Sequence, residues 1–136
     1  MKKQFVIATL ALGLFLASCN ASSDNPAASK DIHADPVTVV EEIFSAAKSG
    51  DFSKLSDLCD PSGAGDGDSK MICNISSQPQ AKQDDFKNYF QKGQVVGDAA
   101  ITGNEAKVKI KFGPDGTKDE EFNLVKVAGK WYIASF

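Results

Sequence analysis

The sequence predicts an α+β domain in which N-terminal helices pack on a curved, four-stranded antiparallel meander. Apolar residues recur at helical spacing in the first two thirds of the chain, and from Gln94 onward they alternate with polar residues. Short turn signals separate the alternating segments. Because short connections make consecutive strands antiparallel neighbours, we expect one sheet, with the helices covering its apolar face.

The first helix is expected over residues 36–48. Asp35 can accept hydrogen bonds from the first backbone N–H groups, Pro36 suits the first helical position, and Gly50 favours a stop. The apolar face of this helix consists of Val40, Ile43, Phe44 and Ala47. A second, shorter helix is expected over about 51–58, with Phe52, Leu55 and Leu58 on one side.

Residues 60–70 are predicted to form a loop, because they combine three glycines with a proline. Cys59 and Cys73 flank this loop. In an exported protein an even pair of cysteines favours a disulfide, which would close a loop of roughly 15 residues and stabilise the fold by about 3 kcal/mol.

The next helix is expected over about 80–92. Ser77 and Gln80 have the spacing of a capping box, and Gly93 marks a stop. The residues that share its apolar face are Phe86, Tyr89 and Phe90.

Four strands are expected near 94–102, 105–113, 117–127 and 130–136. The second shows the clearest alternation. Its apolar residues Val108, Ile110 and Phe112 alternate with Lys107, Lys109 and Lys111, which predicts one buried face and one hydrated cationic face.

Residues 1–19 have the pattern of an export signal. Lys2 and Lys3 precede an apolar run over 5–16, which is too short to span a bilayer. The run ends in Leu16-Ala17-Ser18-Cys19, which resembles the lipobox of bacterial lipoproteins. That resemblance implies cleavage after residue 18, acyl chains such as palmitate on Cys19, and anchoring to a membrane of the cell envelope.

Three segments follow from this interpretation: a signal peptide over 1–18, the lipidated cysteine and a flexible tether over 19–35, and a single α+β domain over 36–136. His33, the single histidine, falls in the expected tether, so we expect no site role for it. Asn20 after the cysteine favours the outer over the inner membrane, by resemblance to enterobacterial lipoproteins.

The domain resembles the nuclear-transport-factor-2-like superfamily. The resemblance lies in the first helix with its Ser-Gly-Asp-Phe ending at residues 49–52, and in Val-Lys-Val-Ala-Gly-Lys-Trp-Tyr-Ile at 125–133. It implies a cone whose curved sheet wraps around helices and often encloses a pocket. Residues expected to line such a pocket are Phe44, Phe86, Tyr89, Phe90, Asp98 and Trp131. The aromatic side chains could equally fill the pocket.

The composition argues against several functions. The chain has a formal net charge of −3 and its basic residues are all lysines, so nucleic-acid binding is not expected. No cofactor motif is present, and no metal site is expected, because the acidic residues near the cysteines lack the spacing of a calcium loop. No catalytic Ser-His-Asp or Cys-His set can be assembled around the single histidine.

Three functions remain as hypotheses. The first is a membrane-anchored, non-enzymatic envelope lipoprotein that binds a small apolar ligand or a protein partner. The second, implied by the superfamily resemblance, is an isomerase- or dehydratase-like enzyme with Asp98 or Asp85 as its base. The third is a structural or accessory envelope protein with a closed core.

Overall fold

The structure is a computed structural model and describes residues 31–136. Three α-helices and five strands make up the domain, which confirms the α+β class. The helices are α1 (Pro36–Ser49), α2 (Gly67–Cys73) and α3 (Gln80–Phe90), with short 3₁₀ turns at Leu55–Leu58 and Ile75–Ser77. The strands are β1 (Gln94–Val95), β2 (Ala100–Thr102), β3 (Glu105–Phe112), β4 (Lys118–Val127) and β5 (Lys130–Ser135). The signal segment and Cys19 lie outside the described residues.

Helix α1 begins and ends as the sequence predicts. The Asp35 carboxylate accepts hydrogen bonds from the backbone N–H groups of Val37 and Thr38, at 2.8 and 3.4 Å. Gly50 ends the helix with φ of 77°, in the left-handed region that favours glycine. Its N–H donates to the Ala46 carbonyl.

The glycine-rich segment contains a helix, so the prediction of a loop over 60–70 is wrong from residue 67 onward. Asp66 is the N-cap of α2, because its Oδ1 accepts the Ser69 N–H at 2.8 Å. Burial of Ile72 and Cys73 then stabilises α2 despite Gly67 in its first turn. The capping box predicted at Ser77 is also wrong, since α3 starts after Pro79 without a side-chain cap.

The sheet has the strand order β1–β3–β4–β5, and β2 pairs with β3 beside β1. All of these pairs are antiparallel. The single first strand predicted over 94–102 is therefore wrong, since Gly97, with φ of 72°, divides it into β1 and β2. The remaining three strands lie close to their predicted bounds.

The helices cover one face of the sheet and the other face is hydrated. On the inner face, Ala106, Val108, Ile110 and Phe112 of β3 are all buried. On the outer face, Lys107 and Lys111 pair with Glu121 and Asp119 of β4, at 3.0 and 2.7 Å. The predicted cationic face is thus offset by carboxylates of the neighbouring strand.

His33 belongs to the folded domain, in contrast to the tether expected there. Its side chain is only 8% exposed, and Nδ1 lies 2.8 Å from the carbonyl oxygen of Trp131. The Trp131 N–H donates in turn to the carbonyl of His33. Because β5 is an edge strand, its backbone groups are available to His33, and the folded part of the chain therefore includes His33.

The predicted disulfide is confirmed: Cys59 is bonded to Cys73, with their Cα atoms 6.0 Å apart. Cys59 also forms a parallel bridge with Ile133 of β5. The disulfide therefore fastens the end of α2 to the sheet. Within residues 31–136, every helix is too short or too polar to span a bilayer.

Candidate functional site

An apolar groove of about 310 Å³ lies between α2, α3 and the hairpin formed by β3 and β4. Its floor consists of the aromatic rings of Phe86, Phe90, Phe112 and Phe136. Its walls include Met71, Ile72, Ile75 and Tyr89, and four charged residues, Asp68, Lys82, Asp85 and Lys118, complete the lining.

The rings of the floor pack against one another. Phe90 is central: its ring centroid lies 4.8 Å from that of Phe86, 5.4 Å from Phe112 and 5.5 Å from Phe136. Phe112 and Phe136 meet edge to face at 5.2 Å. Pairs of this kind stabilise by about 0.5–1.5 kcal/mol beyond the area they bury, so the contacts among the rings help to hold the floor together.

The walls are the part of the groove that faces water. Met71 of α2 is 48% exposed and Tyr89 of α3 is 46% exposed, whereas Ile72 and Ile75 are buried. Large apolar side chains exposed beside a concave apolar surface are typical of a binding site rather than of a closed core.

Asp66 fixes both the start of α2 and the end of β5. Its Oδ2 accepts the Phe136 N–H at 3.2 Å, and its own N–H donates to the Ala134 carbonyl at 3.0 Å. Burial raises the pKa of the Asp66 carboxyl, but the hydrogen bonds from Ser69 and Phe136 outweigh it, so the pKa lies below its ordinary value. The carboxylate thereby positions the Phe136 ring in the floor.

The charged residues lie around this apolar surface. The Lys118 ammonium is above the Phe112 ring, with Nζ 4.8 Å from its centroid. Lys82 and Asp85 are one turn apart on α3, and Asp68 is in the first turn of α2. Among residues 31–136 no group of three or more His, Cys, Asp or Glu side chains is placed to hold a metal ion.

Of the six residues expected to line a pocket, three lie in this groove: Phe86, Tyr89 and Phe90. Phe44 faces a separate, more polar cleft between α1 and β1, where it packs against Gly93. Trp131 is 3% exposed and contributes to the core. Asp98 is exposed in the connection between β1 and β2.

Sequence reasoning missed several groove residues, notably Met71, Lys118 and Phe136. Met71 lies on α2, whose first four residues, 67–70, fall in the segment predicted to be a loop, so the sequence predicts no helical face for Met71. For Phe136 the alternation is misleading, because the period set by the buried Trp131 and Ile133 places residue 136 on the other side of β5. The pairing of β4 with β5 is irregular just before Phe136.

Neither candidate catalytic base is placed as proton transfer requires. Asp98 is exposed and does not line the groove, and Asp85 lines the groove but is also exposed. A general base of this type works in a buried, apolar site that excludes water.

Comparisons with known proteins yielded similar folds but no family. No protein-family model matches the chain, and no curated protein is significantly similar to it. Among solved structures, an NTF2-like protein from Campylobacter jejuni has 16% sequence identity and a TM-score of 0.45 over 72% of this chain and 94% of its own. An NTF2-like protein of unknown function from Shewanella baltica has 17% identity and a TM-score of 0.37 over 71% of this chain and 86% of its own.

A third structure is a SEC-C motif containing protein from Rhodopseudomonas palustris. It has 15% identity and a TM-score of 0.46 over 74% of this chain and 76% of its own. Two of these three proteins are NTF2-like. At such identities and TM-scores the similarity does not indicate an activity for this protein.

Proposed function

We propose that this protein is a lipid-anchored lipoprotein of the bacterial cell envelope whose nuclear-transport-factor-2-like domain binds a small apolar ligand in the groove. The observation that carries the proposal is the aromatic floor with its two exposed apolar walls, Met71 and Tyr89. A volume of about 310 Å³ is at the lower end of the range of small-molecule sites, about 300–1,000 Å³.

Because the walls of the groove are exposed, they can be changed by substitution without altering a buried residue of the core. In Met71→Gln, an apolar groove residue that is 48% exposed is replaced by a polar one of similar length. In the matched control Ile101→Gln, a residue that is 54% exposed on β2, away from the groove, is replaced. Both variants should fold, because neither side chain is buried.

The measurement is the affinity of a fluorescent hydrophobic probe, N-phenylnaphthylamine, for the folded domain. Loss of one partly exposed apolar contact should weaken binding by about threefold to tenfold in Met71→Gln, since burial of an apolar side chain contributes about 1.5–3 kcal/mol when complete. Ile101→Gln should bind like the wild type. Equal affinities for all three proteins would contradict the assignment of the groove.

The anchor rests on Leu16-Ala17-Ser18-Cys19. Each buried CH₂ group of an attached chain contributes about 0.8 kcal/mol, and two chains are enough for stable anchoring. Cys19→Ala should therefore release the protein from membranes or leave it unprocessed, as judged by fractionation and intact-mass measurement. A mature-sized product that stays in the membrane would contradict the lipobox interpretation.

A protein partner is the second candidate, and the free edge of the sheet favours it. Val96 directly follows the short edge strand β1 and is 40% exposed, and Ile101 lies in β2 and is 54% exposed. A photo-crosslinking residue at position 101 should then form a protein adduct in intact cells, whereas one at position 71 should not. Protein adducts at position 71 alone would instead make the groove a protein-binding surface.

A further inference from the structure

We propose that the ligand of the groove is an anionic amphiphile, namely a medium-chain carboxylate whose chain lies on the aromatic floor and whose carboxylate pairs with Lys118. This inference rests on the proposed function and adds the chemical class of the ligand. It is carried by the size of the groove, the position of the Lys118 ammonium and the arrangement of the remaining charges.

The volume limits the length of the chain. A cavity of about 310 Å³ holds about ten non-hydrogen atoms, if each occupies the roughly 30 Å³ that a water molecule takes in the liquid. Octanoate has eight carbons and two oxygens, which matches this size. Because the floor is made of closely packed rings, it offers apolar contact along the chain but no hydrogen-bond partner for its middle.

The Lys118 ammonium contacts the floor directly. Its Nζ lies over the Phe112 ring at 4.8 Å, so a head group at that end of the floor meets the ammonium directly. Lys107 and Lys111, on the other face of the sheet, have carboxylate partners within 4.0 Å, whereas among the described residues Lys118 has none. The neighbouring Asp119 takes part in the pair with Lys111.

The two groove carboxylates have other charges near them. Asp85 lies three residues after Lys82 on α3, a spacing that makes the two side chains neighbours on the helix surface, although they form no ion pair within 4.0 Å. Asp68 is in the first turn of α2, where the partial positive charge of the helix end favours a carboxylate. The Lys118 ammonium lies over the aromatic floor itself, so an anionic head group at that end of the floor is favoured over a cationic one.

The experiment compares three probes with the same chain: octanoate, 1-octanol and octylamine. Their affinities for the wild-type domain are measured by NMR titration at low ionic strength, with the Met71 methyl group and the Phe136 amide as reporters of the groove. Because an exposed ion pair is weak and screened by salt, we expect octanoate to bind only about threefold more tightly than octanol, and octylamine to bind most weakly.

Variants then assign the preference to Lys118. In Lys118→Gln, octanoate should lose its roughly threefold advantage while octanol binding stays unchanged. Lys118→Arg keeps the charge and should retain the preference. Lys130→Gln removes an exposed lysine that does not line the groove and should behave like the wild type.

The outcomes separate the two proposals. If no probe binds, the proposed function fails. If octanol binds as tightly as octanoate, if octylamine binds most tightly, or if Lys82→Gln rather than Lys118→Gln removes the preference, the groove still binds apolar ligands but this inference is wrong. An equal loss for octanoate and octanol in Lys118→Gln would show a structural role and would also overturn it.

Discussion

Gly93 occupies a position where no side chain fits. A Cβ added there would overlap the ring of Phe44, which is buried in the core and lies 6.4 Å from Phe90 between ring centroids. The φ of Gly93 is not in the left-handed region, so the restriction comes from close packing rather than from backbone strain.

We therefore predict that Gly93→Ala lowers the free energy of unfolding by about 1–3 kcal/mol, because a packed core does not accept an extra methyl group without moving its neighbours. Urea unfolding of the wild type and the variant measures this change in the free energy of unfolding. The matched control is Gly67→Ala in the first turn of α2, where an added Cβ meets nothing within 4 Å. Gly67→Ala should be neutral or stabilising by up to about 1 kcal/mol, and equal losses in both variants would contradict the packing argument.

Asp66 gives the fold a dependence on pH. Although burial opposes it, hydrogen bonding from Ser69 and Phe136 lowers the pKa of this carboxyl in the folded state. A carboxyl with a lowered pKa stabilises the fold above its unfolded-state pKa of about 3.9, and this contribution is lost as the pH falls through the folded-state pKa.

Asp66→Asn should accordingly be less stable than the wild type at pH 6, and the difference should shrink below about pH 4. The asparagine oxygen can still accept the Ser69 N–H, but the amide NH2 group cannot accept the Phe136 N–H, so the variant loses the charge and that one hydrogen bond. Asp66→Ala removes the cap as well and should lose about 1 kcal/mol more. Urea unfolding at both pH values is the measurement, and a gap that stays constant down to pH 3 would contradict the prediction.

At the scale of elements, α2 depends on its two fastenings: Asp66 at its start and the disulfide from Cys73 at its end. A helix of seven residues is not stable by itself in water. Because α2 carries Met71 and Ile72, these fastenings also hold one wall of the groove.

The double variant Cys59→Ser/Cys73→Ser should lose about 3 kcal/mol of stability, as the chain-entropy model predicts for a closed loop of this length. It should also bind the hydrophobic probe more weakly, because α2 loosens. Reductant should reproduce both effects in the wild type and have no effect on the double variant. Unchanged stability after reduction would contradict the structural role of the disulfide.

The elements that the sequence predicts well are those with strong periodicity. Helices α1 and α3 follow from apolar residues at helical spacing, and β3 follows from its strict alternation. Helix α2 was missed because its stability comes from contacts distant in the chain: the disulfide with Cys59 and the hydrogen bond from the Ser69 hydroxyl to the Ala134 carbonyl of β5. His33 was misplaced for the same reason, since its partner Trp131 is 98 positions away.

At the scale of the whole molecule, the groove exists only once four separate segments have assembled. The aromatic face of α3, with Phe86 and Phe90, could be predicted from spacing. Its meeting with Phe112 and Phe136 depends on how the helices lie across the sheet, which local periodicity does not encode. Periodicity likewise predicts that the lysines of β3 share one face but does not predict their carboxylate partners. Those partners depend on the register between β3 and β4.

The central claim is that the groove binds a small apolar ligand on its aromatic floor. The most direct test is to record intermolecular nuclear Overhauser effects between octanol and the isotope-labelled domain. We expect contacts from the octanol chain to the Met71 methyl group and to the rings of Phe90 and Phe136. Contacts confined to Val96 and Ile101 at the sheet edge, or none at any residue, would contradict it.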